Sequence, residues 1–255
     1  MLVIAVANQK GGVGKTTCCV NLGAALGQMG FRILVVDMDP QGNCTSGLGV
    51  ERGAVDKSVY HVLVEGAPLE DVVRPTPWPG VSLAPATIDL AGAEVELVGA
   101  LSRETRLARP LEKISGYDGV LIDCPPSLGL LTVNALVGAH QVLVPLQCEY
   151  YALEGIGQLL RTLDLVRGYL NEKLVLGGIV LTMFDPRTRL AREVVEEARE
   201  SFGKKVFSTV IPRNVRLSEA PSFGKPIFYY DDASSGAEAY RELGKEVAQR
   251  WLEKP

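Results

Sequence analysis

The sequence predicts an α/β fold in one domain spanning residues 1–255: a doubly wound, mostly parallel sheet with helices on both faces. Three observations carry that expectation. Short runs rich in Val, Ile and Leu recur along the chain without the polar alternation of half-exposed strands, as strands buried on both faces require. Helical stretches separate them, so neighbouring strands are joined by right-handed crossovers. A glycine-rich turn follows the first run and opens the first helix, the context in which backbone N–H groups cradle phosphate.

The expected strands are "LVIAVA" (2–7), "RILVVD" (32–37), "GVLIDC" (119–124), "QVLVPL" (141–146) and "LVLGGIVLT" (174–182). Helical patterns occupy 15–29, 128–138, 152–170, 188–202 and about 236–252, the last packing at the end of the same domain. The stretch 72–86 carries Pro75, Pro77, Pro79 and Pro85 and is expected to be loop around one short strand. No internal repeat, low-complexity tract or interdomain linker is evident.

Composition narrows the class. With 255 residues, 47% hydrophobic and 22% charged, the chain can bury a substantial core. No apolar run reaches the ~18 residues of a membrane span. The start lacks the basic segment and cleavage site of a signal peptide, so a cytoplasmic protein is expected. The five cysteines (18, 19, 44, 124 and 148) form no C-x-x-C pair, and His61 and His140 are isolated. Neither a disulfide framework nor a zinc site is indicated.

The chemistry concentrates in "NQKGGVGKTT" (8–17). Gly11, Gly12, Val13 and Gly14 would bring peptide N–H groups close to phosphate oxygens, and the following helix adds its positive dipole end. Lys15 would reach the β- and γ-phosphates, Thr16 would offer a hydroxyl to Mg2+, and Thr17 completes the contacts. The usual loop has glycine at position 9; here Gln9 stands there, followed by Lys10. "VVDMDPQGN" places Asp37 and Asp39, and "LIDCPPS" places Asp123, at carboxyl ends of strands, which face the ligand crevice of a parallel sheet. Carboxylates there can hold Mg2+ directly or through water.

With that extra lysine, "KGGVGKTT", "DMDPQGN" and "DCPPS" resemble the deviant-Walker ATPases of the ParA/MinD family. "PLQCEYYALEG" (145–155) and "IPRNVRLSEAPSFGKPI" (211–227) narrow the resemblance to the chromosomal ParA proteins often called Soj, across essentially the whole chain. It implies an ATPase with ATP and Mg2+ as ligands and a homodimer facing itself across two nucleotides. Lys10 would be the signature lysine reaching the partner's phosphates, with Gly11 where the backbones approach. Asp39 would orient the attacking water and Asp123 would serve the Mg2+ shell. Pro212 and Asn214, with the Met183 segment, would lie near adenine.

Charge is unevenly spread. Residues 203–230 carry Lys204, Lys205, Arg213, Arg216 and Lys225 against Glu219, a local +4 that leaves −8 on the remainder of a chain of net charge −4. Such a strip suits sequence-independent contact with phosphate backbones. The resemblance points to Arg187 and Arg216 as contacts to non-specific double-stranded DNA, with Arg189, Arg213 and Lys225 as further candidates. It also implies a ParB/Spo0J-type centromere-binding partner, a nucleoid-associated location, and leaves open control of replication initiation through the initiator protein. The mixed charges of "AYRELGKEVAQRWLEKP" argue against a MinD-like membrane switch, and unpaired Cys124 and Cys148 against an iron–sulfur relative. A regulatory nucleotide-binding module without turnover stays open. The chain begins at its first strand, so autoregulation through an N-terminal helix-turn-helix segment is not expected.

Overall fold

A computed structural model describes residues 1–149 and 152–252, with the backbone alone at 152–154. Tyr150 and Tyr151 of the "PLQCEYYALEG" block, and the last three positions of the expected domain, lie outside the described residues.

In chain order the elements are β1 (Leu2–Val6), α1 (Lys15–Gln28), β2 (Ile33–Asp37), α2 (Asn43–Gly47), β3 (Arg74–Pro75), β4 (Val81–Ala84), α3 (Leu90–Glu96), α4 (Ala108–Lys113), β5 (Gly119–Asp123) and α5 (Leu130–Gly138). They continue with β6 (Gln141–Gln147), α6 (Ala152–Tyr169), β7 (Val175–Phe184), α7 (Arg189–Phe202), β8 (Val206–Pro212), α8 (Val215–Glu219), α9 (Ile227–Tyr230) and α10 (Ser235–Val247). Among the described residues the sheet has eight strands in the order β3-β4-β2-β5-β1-β6-β7-β8. Only the two-residue β3 runs antiparallel.

Why these runs are strands is visible in their partition. Val3, Ala5 and Ala7 enter one core while Ile4 and Val6 enter the other. Leu34 and Val36 divide from Ile33 and Val35 in the same way. Successive side chains of a strand point to opposite faces, and here both faces are apolar, so near-continuous hydrophobic runs are required. One face is covered by helices α3 to α7, the other by α1 and α10.

Two details go beyond the sequence expectations. The proline-rich stretch yields β4 plus the short β3. The segment 206–212, not read as a strand, forms β8 at the edge beside β7. Its polar middle, with Ser208 exposed, breaks the apolar run by which the buried strands are recognised.

The topology also positions the site. β1 lies between β5 and β6. The chain leaves β1 through α1 toward β2 and leaves β5 through α5 toward β6, with α1 and α5 on opposite faces. Connections diverge beyond the carboxyl end of β1, the switch point where doubly wound sheets hold ligands.

Candidate nucleotide site

At that switch point lies a cleft of about 550 Å³ lined by Gly11, Gly12, Gly14, Lys15, Thr16 and Thr17. The loop needs its glycines: φ is +72° at Gly12 and +93° at Gly14, the left-handed region that glycine occupies without strain. Gly14 ends the loop and α1 begins at Lys15. Val13 is buried, and its carbonyl accepts from the Thr182 hydroxyl at 2.9 Å, tying the loop to β7. The Thr17 carbonyl accepts from Asn21 Nδ2 at 2.8 Å.

Lys15 is 7% exposed and its Nζ donates to the Lys10 carbonyl oxygen at 3.1 Å. Burial lowers its pKa, opposed chiefly by the neighbouring Asp123 carboxylate. Lys10 points elsewhere: its ammonium lies 3.5 Å from Glu149, a residue to which the sequence reading gave no role. Gln147 Nε2 and Arg213 Nη2 share Glu149 Oε1 at 2.6 and 3.3 Å.

The carboxylates are grouped by register. Asp37 and Asp123 are paired positions on neighbouring parallel strands, and both are fully buried. Asp37 Oδ2 accepts from the Thr45 backbone N–H and hydroxyl, and its Oδ1 accepts from the Asp39 N–H at 3.1 Å. It therefore shapes the turn that carries Asp39. Burial, only partly offset by those bonds, pushes its pKa up to about 6. Asp39 lines the cleft, with Oδ1 accepting from Gln41 N–H at 2.9 Å.

Asp123 Oδ2 accepts from the Thr16 hydroxyl at 2.7 Å, whereas its buried Oδ1 has no hydrogen-bond partner among the described residues. Burial and the adjacent Asp37 raise its pKa well above the usual carboxylate range. An unpartnered carboxyl oxygen beside a threonine hydroxyl fits a hydrated Mg2+, whose charge would favour the ionised form. Among the described residues no group of three or more His, Cys, Asp or Glu could hold a metal by itself.

Other candidates fall less neatly. Met183 lines the cleft and adopts φ +54°, uncommon for a residue with a side chain. Pro212 and Asn214 are not among the cleft-lining residues; Asn214 caps α8 by accepting from Arg216 N–H and Leu217 N–H. The wall that block 211–227 supplies comes from Ala220, Pro221, Ser222 and Lys225 instead. Lys225, a further DNA candidate, also lines the nucleotide cleft. Asn43, the last residue of "DMDPQGN", and Ser46, three residues further on, also line it from α2; neither was given a role by the sequence.

The four arginines expected at DNA are each paired with a carboxylate of the same chain. Arg187 Nε and Nη2 donate to Asp185 at 2.9 and 2.7 Å. Arg189 reaches Glu193, Arg216 reaches Glu219 and Asp231, and Arg213 reaches Glu149. All four side chains are more than half exposed.

Fold and loop together define a P-loop nucleotide-binding protein of the doubly wound class. Its relatives make the placement specific. A family model described as an AAA domain matches residues 1–176. The chain is 58% identical over 247 residues to the sporulation initiation inhibitor protein Soj of Bacillus subtilis, covering 96% of this chain and 98% of the relative. It is 57% identical over 247 residues to the chromosome-partitioning ATPase Soj of Thermus thermophilus, covering 97% and 95%. Among solved structures, cobyrinic acid a,c-diamide synthase from Mycobacterium smegmatis, with bound ATP analogue and magnesium, superposes with a TM-score of 0.86. That protein is 42% identical, over 98% of this chain and 96% of that one. The chain belongs to the ParA/Soj family of ParA/MinD-type P-loop ATPases.

Proposed function

We propose that this chain is a chromosome-partitioning ATPase that pairs with a second copy of itself around Mg2+–ATP, holds double-stranded DNA without regard to sequence in that state, and releases it after hydrolysis. The observation that carries the reading is the Thr16–Asp123 hydrogen bond with the unpartnered Asp123 Oδ1, set beside a glycine loop at the switch point. Bound Mg2+ would supply positive charge against the phosphates. The loop N–H groups from Gly11 to Thr17 receive phosphate oxygens, and Lys15 exchanges the Lys10 carbonyl for one of them. Asp39 orients the attacking water. Lys10 leaves Glu149 and meets the phosphates held by the second copy, which makes pairing depend on the triphosphate.

Arg187 and Arg216, with Arg189, supply the DNA contacts. A pair of subunits doubles their number, so nucleotide-dependent pairing switches DNA binding. A ParB/Spo0J-type centromere-binding protein is the partner expected to stimulate hydrolysis in the cytoplasm on the nucleoid, with control of replication initiation through the initiator protein as a further output. A membrane-switching role has less support: α10 packs Tyr240, Leu243 and Val247 into the core, so its apolar face is already used. The amide chemistry named for the mycobacterial protein has none in the thiols, since all five cysteines are buried.

The deciding experiment combines sedimentation with turnover. Wild type should pair under saturating Mg2+–ATP but not Mg2+–ADP, hydrolyse slowly, and speed up with duplex DNA and the partner. Asp39→Ala should stay paired with phosphate release reduced ~100-fold or more. Lone subunits under saturating Mg2+–ATP, in wild type and in Asp39→Ala alike, defeat the proposal.

A further inference from the structure

A second cavity, about 500 Å³, opens between the segment around Val62–Glu70 and the segment running from Leu101 into α4. It shares no lining residue with the nucleotide cleft. Its floor is apolar, from Val62, Pro68 and Leu69. Arg106, Arg109 and Lys113 stand around it, and Glu70 is the one carboxylate among the described lining residues.

The cations there lack counter-ions. Among the described residues, none of the three makes an ion pair. Arg106 is the sharpest case: its Nη2 donates to the Leu101 carbonyl at 3.3 Å, while its Nε is buried with no acceptor. A charged group left with an unpartnered N–H and no counter-ion is costly, and an anion beside the guanidinium would offset the uncompensated charge.

Backbone strain marks the same place. Only two described residues other than glycine have positive φ: Met183 in the nucleotide cleft and Ser102, at φ +53°, in this cavity. Such strain persists where surrounding structure enforces it, and it clusters at binding sites. The enforcement is visible. Asn134 on α5 accepts from the Leu107 N–H at 3.2 Å and donates to the Arg103 carbonyl at 2.8 Å. The backbone that carries the cations is therefore pinned to α5 on either side of Arg106.

We propose that this cavity is a second ligand site for an organic anion, a phosphate or carboxylate carried on a short apolar body. The anionic head meets the Arg106 guanidinium, Arg109 and Lys113, with the Ser102 and Thr105 hydroxyls as additional donors. The body rests on Val62, Pro68 and Leu69.

The test titrates full-length protein, its nucleotide cleft saturated with Mg2+–ADP, with hexyl phosphate, hexanoate and uncharged hexanol while backbone amides are followed by NMR. Either or both of the two anions should shift Leu69, Ser102, Thr105 and Arg109 saturably at or below ~10 mM, and hexanol should not. Which anion binds more tightly identifies the head group. Arg106→Met and Arg109→Ala should each weaken binding about tenfold, the loss of one charge-assisted bond. Arg109 is exposed, so Arg109→Ala alone decides if Arg106→Met does not fold. The proposal is overturned by non-saturable shifts, by equal shifts with hexanol, by shifts scattered over other basic surfaces, or by unchanged affinity in Arg109→Ala.

Discussion

The Lys10 ammonium rests 3.5 Å from the carboxylate of Glu149 in its own subunit, with both side chains partly solvent-exposed. An exposed pair of this kind is worth at most about 1 kcal/mol. It can hold the lysine when no triphosphate faces it, yet yield to phosphate charge from a second copy. Glu149→Gln should therefore tighten Mg2+–ATP-dependent pairing by a modest factor, at most about fivefold. Lys10→Ala should abolish pairing. Sedimentation velocity over a concentration series reads both, and weaker pairing in Glu149→Gln would contradict the exchange.

Asp123 separates stability from ligand response. Burial disfavours its charged form, and one oxygen has no partner. Asp123→Asn should leave the ligand-free protein at least as stable as wild type, within ~1 kcal/mol, while removing most of the stabilisation by Mg2+–ADP. Thermal unfolding with and without Mg2+–ADP distinguishes the two effects. An undiminished Mg2+–ADP shift in the variant would remove Asp123 from the metal shell.

For DNA, the pairing of each arginine matters as much as its position. Arg187 and Arg216 reach neighbouring carboxylates, so each must share or exchange a partner to hold a phosphate. Arg187→Ala and Arg216→Ala should weaken binding of any duplex sequence and lower the salt dependence by about one counter-ion per subunit. Filter binding across a salt series measures the slope. A wild-type slope in both variants would place the DNA face elsewhere.

Packing makes a sharp prediction at Gly27, inside α1. A Cβ there would fall 2.2 Å from the Pro79 carbonyl oxygen, which is backbone and cannot swing aside. Alanine normally favours a helix over glycine by about 1 kcal/mol. Here the clash should win, and Gly27→Ala should destabilise by ~1–3 kcal/mol. Urea unfolding measures it; a stabilised variant would show that α1 and the Pro79 turn can move apart.

The parts of this molecule legible in sequence are those encoded by local pattern. The strand before Lys10, the glycines at φ-positive positions and the strand-ending Asp37, Asp39 and Asp123 all depend on neighbours within a few residues. Glu149 was not legible, because its contact with Lys10 spans 139 positions and depends on β1 and β6 lying side by side. The carboxylate partners of Arg187 and Arg216 were not legible either, because a sequence counts charges but does not pair them. The Pro212–Asn214 stretch, which the resemblance puts near adenine, also carries the cap of α8, where Asn214 accepts from two backbone N–H groups. β8 escaped because an edge strand with an exposed serine lacks the unbroken apolar run of its buried neighbours.

The bond from Lys15 to the carbonyl of Lys10 fixes the curl of the glycine loop. A peptide oxygen occupies the amine until a stronger acceptor displaces it. On the proposed function, capture would be a swap of one oxygen for another, sparing the chain the ordering penalty that an open loop would incur.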